Sequence, residues 1–351
     1  MKPVTEKGVL QLKLTISYIA KLAGVSKATV SRVLNGTGYV SEETRKKILE
    51  IVKKYDYTPD SKAVSLSKKR TYAVGLVLPS TSGPFYGEVL RGVEEVLSQN
   101  RYFTLLMVLD SGKHISKTRE RYVAALKEKR VDGAIIFDPT LNPEQLKKLK
   151  IHSLNLPIVF LLRDFHDLGF DSIMVDNRSA SADLTRHLVK VHGYKKFAFV
   201  KGPKESEDSE ERFRGFMGVL KESGLNVNDV LVFSSDFTYE GGRRIFQEIR
   251  PHLRSLEAIY CANDEMALGV IEELKGLNVR PGKDIAVVGF DDAFWAQHID
   301  PPLTTVHQPM YECGKIAADR VLNRIENPDT FKNPVKILLK AELVVRKSCG
   351  C

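Results

Sequence analysis

The chain has 351 residues, 43% of them hydrophobic and 28% charged, which is typical of a folded globular protein with two or three domains. It contains no run of 18 apolar residues, and its first residues lack the apolar core of a secretory signal, so we expect no membrane partner and a cytoplasmic location. The net charge of +9 lies entirely in residues 1–70, which hold fifteen Lys and Arg against six Asp and Glu. This distribution indicates a basic, nucleic-acid-binding segment joined to a neutral body.

Two short helices joined by a tight turn are predicted within TISYIAKLAGVSKATVSRVLNG, from Thr15 to Gly36. Apolar residues recur three or four apart in both halves, Gly24 suits the end of the first helix, and Ser26 suits the cap of the second. The outer face of the second helix is small, polar and basic. This pattern is typical of a DNA-binding helix-turn-helix, the alternative being a helical hairpin that only packs against another element. Residues 1–13, without clear periodicity, are expected to be a flexible arm.

A third helix is predicted after Ser41, where two acidic residues occupy the favourable first turn and apolar residues then recur at helical spacing. Together the three helices make residues 14–58 a small DNA-binding domain. Pro59 ends the third helix, and residues 59–70 follow as a short helical segment that is too short to be stable alone. We expect this segment to be a linker or to fold only when a partner orders it.

From residue 71 onward, continuous apolar runs alternate with amphipathic stretches of 10 to 17 residues. The runs are 73–78, 103–109, 133–137, 157–162, 197–200, 258–261 and 285–290, and the stretches are 86–99, 117–130, 178–192, 210–223, 240–250 and 263–276. Strands that are buried on both faces and connected by helices form parallel sheets, and there are too many of them for one sheet of usual size. The predicted fold is a small all-α head followed by an α/β body of two doubly wound, parallel-sheet subdomains.

Five carboxylates come directly after predicted strands, where ligands bind in such sheets. They are Asp110, Asp138, Asp176, Asp264 and Asp291. Because Asp is also common as a helix cap or turn former, we expect about half of them to have only that role.

Several motifs together resemble the lactose-repressor/galactose-repressor (LacI/GalR) family of bacterial transcription regulators. In the head the resemblance is carried by TISYIAKLAGVSKATVSRVLNGTGYVSEETRKKI, and in the body by SGPFYGEVLRGVEE, IMVDNRSASADLTRHLVKVHGYKKFAFVKGP, ERFRGFMGVLKESGL, CANDEMALGVIEEL and VVGFDDAFWAQHIDPPLTTVHQP. Only residues 1–13 and the last few fall outside it. The resemblance implies a homodimer or a dimer of dimers, of which we favour the dimer, with heads that bind a pseudo-palindromic operator in the nucleoid. It also implies a periplasmic-binding-protein-like body that binds a small effector.

The resemblance also implies how the chain is divided. The hinge segment would be 59–70, and the effector-binding and dimerisation domain 71–347, with a tail at 348–351. The N-subdomain would comprise about 71–175 and 308–337, and the C-subdomain about 176–307 and 338–347.

At the DNA, the second helix of such a head lies in the major groove. By resemblance, Lys27, Ala28 and Arg32 occupy base-reading positions, and Arg32 can form a bidentate pair with guanine. The hydroxyl and amide groups of Thr15, Ser26, Ser31, Asn35 and Tyr39 suit phosphate contacts, which set the register without reading sequence. By resemblance, Leu66 would be wedged into the minor groove beside the small Ala63, the alternative being that Leu66 packs on the body or on the dimer mate.

In the body, the resemblance places eight residues at or near the effector. They are Phe85, Tyr86, Arg163, Asp176, Arg212, Phe237, Asn263 and Asp291. An Arg and an Asp bind hydroxyl groups and aromatic rings cover apolar C–H faces, which is what a carbohydrate site requires. Leu162 and Phe137 make the first-subdomain side less polar than in a simple sugar binder, so a purine or nucleoside co-repressor is kept as the alternative. Trp295 is either a second stacking ring or a surface lid.

Other functional classes find little support. A transport-type sugar-binding protein would share the body but would not carry the basic head. No dinucleotide-binding or phosphate-binding glycine motif and no hydrolase or metalloprotease motif occurs, so we expect no catalysis and no cofactor other than the effector. The histidines show no metal-ligand spacing, and the terminal Cys349-Gly350-Cys351 is expected to be inert at a frayed end, with soft-metal binding or oxidation as the alternatives.

Overall fold

The computed structural model describes residues 15–57, 70–81, 83–109 and 115–351. The predicted arm, Asp110, and the linker residues Ala63 and Leu66 lie outside these ranges. The chain divides into two compact units, residues 1–70 and 71–351. No helix in the described ranges is long and apolar enough to cross a bilayer.

The head consists of three helices, α1 (Ile16–Ala23), α2 (Lys27–Asn35) and α3 (Glu42–Lys54). Each begins at a hydroxyl side chain that accepts a hydrogen bond from a backbone N–H of the first turn; for α2, Ser26 Oγ accepts from Thr29 N at 3.1 Å. Gly24 and Gly36 end α1 and α2 with φ values of +71° and +66°, which a residue with a Cβ adopts only at a cost. The tight turn between α1 and α2 is therefore set by local chemistry.

A small apolar core holds the three helices together. Its buried members are Ile19, Ala20, Ala23, Val30, Val33 and Ile48. Alanines on α1 allow α2 to approach closely, while the branched side chains of α2 and α3 fill the centre. The polar and basic side of α2 is left in solvent.

The body contains two parallel sheets with helices on their faces. The first sheet has the order β11-β5-β4-β3-β1-β2 and comprises β1 (Ala73–Leu78), β2 (Phe103–Val108), β3 (Gly133–Ile136), β4 (Ile158–Leu161), β5 (Asp171–Val175) and β11 (Lys336–Leu339). Its helices are α4 (Pro84–Gln99), α5 (Ile115–Lys127), α6 (Pro143–Lys148) and α11 (Met310–Glu326). We call this sheet and its four helices the first subdomain.

The second subdomain is built on a parallel sheet of order β7-β6-β8-β9. Its strands are β6 (Phe197–Lys201), β7 (Leu231–Ser234), β8 (Ala258–Cys261) and β9 (Ala286–Val288), and its helices are α7 (Asn177–Lys190), α8 (Glu207–Glu222), α9 (Tyr239–Ile249) and α10 (Asp264–Gly276). A short antiparallel pair, β10 (Thr305–His307) and β12 (Glu342–Val344), lies beside the connections between the subdomains. The chain crosses between them after β5, after β10 and after β11, and the last crossing follows Leu339, two residues later than the predicted boundary.

Two expectations about the body are wrong. Strand β2 is not buried on both faces: it is an edge strand, and Phe103 and Val108 are 75% and 43% exposed. The terminal segment is not frayed either, because Ser348 and Cys349 are fully buried. Ser348 Oγ accepts a hydrogen bond from Thr304 N at 2.8 Å and donates one to Val287 O at 2.6 Å, which packs the tail into the second subdomain.

Helices α4 and α11 pack so closely that each presents a glycine to the other. A Cβ on Gly92 would lie 2.1 Å from Tyr311 O, and one on Gly314 would lie 2.3 Å from Val89 O. Gly87, on the same helix as Gly92, faces open space.

We expect Gly92→Ala to lower the free energy of unfolding by about 1–3 kcal/mol, because the added methyl group forces the two helices apart. Gly87→Ala is the matched control, and it should raise stability by about 0.5–1 kcal/mol through helix propensity. Urea denaturation of both variants measures the difference. Equal effects of the two substitutions would contradict the close contact between α4 and α11.

Candidate functional site

A cavity of about 920 Å³ lies between the two subdomains of the body, which is a typical size for a small-molecule site. Its wall from the first subdomain carries a cluster of aromatic rings, and we call it the aromatic wall. Its wall from the second subdomain carries most of the acidic side chains together with the ring of Phe237, and we call it the polar wall. Six of the eight predicted effector residues line it: Phe85, Tyr86, Arg212, Phe237, Asn263 and Asp291.

Arg212 is the central cation of the polar wall and is only 4% exposed. Its Nε donates to Asn177 Oδ1 at 2.7 Å and its Nη1 donates to Ala262 O at 2.6 Å. The guanidinium also lies over the ring of Phe290, with the carbon 3.9 Å from the ring centroid. These contacts fix its orientation, while Nη1 is 3.5 Å from Asp291 Oδ1, too far for a good hydrogen bond.

Asp291 faces the cavity from the loop after β9, with φ of +130°, a conformation rare for a residue with a side chain. Gln308 Nε2 donates to its Oδ1 at 2.6 Å. Burial raises the pKa of Asp291 to about 8, although the nearby Arg212 opposes the shift. Such strain at a cleft is typical of a residue held for function.

The ring of Phe237 covers the backbone of Gly202, where a Cβ would lie 2.1 Å from the ring. Phe237 has φ of +65°, and Asn263 Nδ2 donates to its carbonyl oxygen at 2.9 Å. Asn263 also caps α10 by accepting from Met266 N at 3.1 Å. Asn263 therefore positions the aromatic ring as well as lining the cavity.

The opposite wall is a cluster of three rings. Phe85 and Tyr86 lie 5.2 Å apart, and both lie within 6.2 Å of the Phe137 ring. Burial and the nearby carboxylates of Asp291 and Asp208 raise the pKa of Tyr86 to about 12. The neutral phenol thus faces the acidic wall across the cleft.

The structure places Arg163 and Asp176 outside the cavity lining. Arg163 donates to the carbonyl oxygens of Pro139 and Leu141 at 3.2 and 2.7 Å, and its Nη2 lies 3.3 Å from Glu207 Oε1. It braces the loop after β3 and reaches the second subdomain. Asp176 caps α7 by accepting from Ser179 N at 3.0 Å.

Two other carboxylates that were predicted to follow strands, Asp138 and Asp264, differ in their position relative to the cavity. Asp138 is fully buried in a bidentate ion pair with Arg119, at 2.6 and 2.8 Å, and does not line the cavity. Asp264 does line it, but its oxygens accept from Thr305 Oγ1 and Ala293 N at 2.6 and 2.8 Å.

Asp208 and Gln308 also line the cavity, although neither was predicted from the sequence. Asp208 precedes Arg212 by one helical turn, a spacing that could have identified it. Burial raises its pKa to about 6, and it accepts from Asn177 Nδ2 at 2.8 Å. Gln308 Oε1 accepts no hydrogen bond from the described residues and is available to a ligand.

Trp295 packs against the core of the second subdomain, whereas its neighbour Phe294, 70% exposed, lines the cavity. The aromatic residue at this edge of the cavity is thus Phe294 and not the predicted Trp295.

A second candidate site is the solvent-facing side of α2. Ser26, Lys27, Ala28 and Arg32 are exposed there, and Tyr39 in the following loop is 93% exposed. Thr15, at the cap of α1, is also exposed.

The loop after α2 helps to hold the arginine. Gly38, with φ of +71°, leaves room for the stem of Arg32, whose Cδ would lie 3.3 Å from a Cβ at that position. The exposed face of α2 therefore presents short side chains together with long basic ones, and both types are used to read bases in a major groove.

A helix-turn-helix head joined to two parallel-sheet subdomains around a cleft defines a ligand-controlled DNA-binding regulator. Comparison with known protein families agrees with this class, since residues 15–60 match the family described as bacterial regulatory proteins of the lacI family. Residues 71–342 match the family described as periplasmic binding proteins and sugar binding domain of the LacI family. The chain belongs to the LacI family of bacterial transcriptional regulators.

Among curated relatives, the transcriptional regulator RegA of Clostridium saccharobutylicum is 35% identical over 335 residues, covering 95% of this chain and 98% of RegA. The ribose operon repressor of Haemophilus influenzae is 31% identical over 334 residues, covering 95% of this chain and 98% of that repressor.

Two solved structures share the whole architecture. The lac repressor dimer bound to operator and the anti-inducer ONPF has a TM-score of 0.85 and 26% identity, covering 96% of this chain and 99% of that one. The complex of the regulator CelR with cellobiose has a TM-score of 0.71 and 29% identity, covering 95% and 99%.

The raised pKa of Asp291 predicts a pH-dependent stability. Its folded pKa of about 8 exceeds the value of about 3.9 in an unfolded chain, so the folded state retains a proton that the unfolded state loses between these values. The contribution of this group to stability therefore falls as pH rises from about 4 to 8. Between pH 6 and 8.5, wild type should lose about 2.5 kcal/mol more than Asp291→Asn in urea unfolding. The surface variant Asp183→Asn should follow wild type, and parallel pH profiles for wild type and Asp291→Asn would contradict the shift.

Proposed function

We propose that this protein represses sugar-utilisation genes by binding an operator as a homodimer, and that a neutral carbohydrate in the cleft releases it from DNA. The observation that carries the proposal is the cleft itself: a buried Arg212 and a set of carboxylates face aromatic rings, in a chain with an exposed helix-turn-helix face.

At the DNA, helix α2 would enter the major groove. Arg32 would form a bidentate pair with a guanine, Lys27 would reach a guanine or a phosphate, and Ala28 would contact a thymine methyl group. The exposed hydroxyls of Thr15, Ser26 and Tyr39, together with Ser31 and Asn35, would bind phosphates. Leu66 beside Ala63 would act as the minor-groove wedge at the operator centre.

Dimer formation is supported by the exposed apolar side chains of edge strand β2 in the first subdomain. Phe103, Leu105, Leu106 and Val108 are between 37% and 75% exposed. An edge strand with such side chains favours association rather than solvation. Two heads in one dimer would read the two halves of a pseudo-palindrome.

The charge of the cleft restricts the effector. Ten Asp and Glu residues but only two Arg residues line it. The carboxylates that are ionised near neutral pH disfavour sugar phosphates and organic acids. Hydroxyl groups can donate to oxygens of Asp208 and of Asp291, which is largely protonated at pH 7, and can accept from Arg212. The aromatic wall can cover the C–H face of a sugar ring. CelR, whose structure holds cellobiose, has the same architecture.

We assign the carboxylates of the cleft to ligand binding and not to catalysis. Both oxygens of Asp264 already accept hydrogen bonds, and Asp291 accepts from Gln308. The curated relatives are named as transcriptional regulators or repressors.

Arg32→Ala should weaken operator binding by about 1–3 kcal/mol and relax preference at one base pair in each half-site. An operator is first selected from random duplexes with wild-type protein, and fluorescence anisotropy then compares every single-base-pair variant. A two-half-site duplex should bind more tightly than one half-site, as a dimer requires. Lys53→Ala, which removes an exposed cation of α3, is the control and should lower affinity uniformly if at all. Uniform weakening by Arg32→Ala would exclude the base-reading role.

A thermal-shift screen with monosaccharides, disaccharides, sugar phosphates and purines identifies the effector class. A neutral sugar should raise the melting temperature by mass action, and Arg212→Ala and Asp291→Ala should abolish the shift. Arg243→Ala is the control, because Arg243 pairs with Glu273 and does not line the cavity. Stabilisation by a purine or by a sugar phosphate, with no response to neutral sugars, would overturn the proposed effector.

A further inference from the structure

Four metal-binding side chains that lie far apart in the sequence converge at the end of α7, in the second subdomain. His187 belongs to α7, His192 follows it, and Cys349 and Cys351 come from the terminal segment. Their ligand atoms all lie within 4.8 Å of one another. None of the four lines the effector cavity, so the cluster is separate from the effector site.

Four of the separations between the ligand atoms match the edges of a tetrahedron. The two Nε2 atoms of His187 and His192 are 3.3 Å apart, and Cys351 Sγ lies 3.5 and 3.3 Å from them. Cys349 Sγ lies 3.6 Å from His187 Nε2. For a tetrahedral zinc with Zn–N and Zn–S distances of about 2.05 and 2.3 Å, the edges should be about 3.3 Å between nitrogens and about 3.5 Å between nitrogen and sulfur. The observed separations leave room for one such ion.

The surrounding residues support the ligands. The His192 ring stacks on Tyr194, with ring centroids 5.2 Å apart and planes at 10°. Tyr194 Oη donates to Cys349 O at 3.0 Å, which connects one histidine ligand to the cysteine segment. Gly350, with φ of +103°, turns the chain between the cysteines, and a Cβ there would lie 2.8 Å from Tyr194 Oη. A Cys-Gly-Cys turn therefore fits this surface in a way that another central residue would not.

We propose that His187, His192, Cys349 and Cys351 form a structural zinc site. Two imidazole and two thiolate ligands in a tetrahedron are typical of Zn²⁺, and four protein ligands leave no open position for catalysis. On binding, each cysteine thiol releases its proton to solvent as a Zn–S bond forms, and no electron transfer is needed.

The site would attach the terminal segment to α7. Ser348 already bonds to Thr304 and Val287, which lie on or beside strands of the second subdomain. The ion would extend this attachment across the surface to the end of α7. The terminal segment and α7 would then move as one body.

The test uses full-length protein purified without a histidine tag. Mass spectrometry of the metal content should find about one zinc per chain after equilibration with equimolar Zn²⁺ and reductant. Co²⁺ substitution should give visible absorption of tetrahedral cobalt and near-ultraviolet thiolate-to-cobalt charge transfer. Zinc should raise the melting temperature of wild type.

Cys351→Ser and His192→Gln should each lower zinc affinity at least about tenfold. Cys351→Ser should also weaken the thiolate-to-cobalt charge-transfer band, since it removes one of the two thiolates, and His192→Gln should weaken the visible absorption of tetrahedral cobalt. Cys351 is exposed, so its substitution removes no core packing. Cys313→Ala and His252→Gln, which change a cysteine and a histidine outside the cluster, should retain full zinc content. Less than a tenth of a zinc per chain, retention of zinc by the cluster variants, or isolation of a Cys349–Cys351 disulfide that resists reductant would overturn the proposal.

Discussion

The body depends on one buried cation, the guanidinium of Arg212, and on the partners that hold it. Asn177, the first residue of α7, follows the first crossing between subdomains, and it accepts from Arg212 while donating to Asp208. On the other side, Asp291 accepts from Gln308, which lies in the second crossing. A ligand that engages Arg212 and Asp291 therefore acts on a network that touches two of the three connections between subdomains. Buried networks of this kind have discrete arrangements, which is what a switch requires.

This arrangement gives a physical route from ligand to DNA. The polar wall belongs to the second subdomain and the aromatic wall to the first, so a ligand that contacts both favours one relative arrangement of the two. Such a population shift changes DNA affinity only if the two arrangements hold the linkers of a dimer differently. The predicted linker includes Leu66, the one apolar residue in the sequence from Ser65 to Lys69.

Much of the architecture could be predicted because its signals are local. The apolar runs 73–78 and 258–261 are strands with the predicted bounds, and glycine and serine caps set the ends of α1 and α2. Strand β5 is not among the apolar runs, although Asp176 at its end was expected to follow a strand. It begins with Asp171, a buried carboxylate neutralised by Arg320 and Arg324 more than a hundred residues away. The exposure of β2 depends on its position at the sheet edge, which the apolar pattern does not reveal.

The predicted site residues divide in the same way, into those with a local sequence signal and those whose role depends on the folded chain. Six residues of the cavity lining were predicted through motifs, but the contacts of Arg163 with two backbone carbonyls and the capping role of Asp176 depend on the folded chain. The histidine and cysteine cluster was missed for the same reason, since its two pairs of ligands lie about 160 residues apart. Long-range pairs of polar residues are the part of the structure that periodicity and composition do not encode.

The most direct test of the account is the operator affinity of the full-length protein with and without the ligand that stabilises it. Fluorescence anisotropy of a selected operator duplex, titrated at constant salt, gives both dissociation constants. We predict that saturating ligand weakens operator binding by about tenfold or more, as a coupling between two sites requires. Identical operator affinities at a ligand concentration that saturates the thermal shift would contradict it.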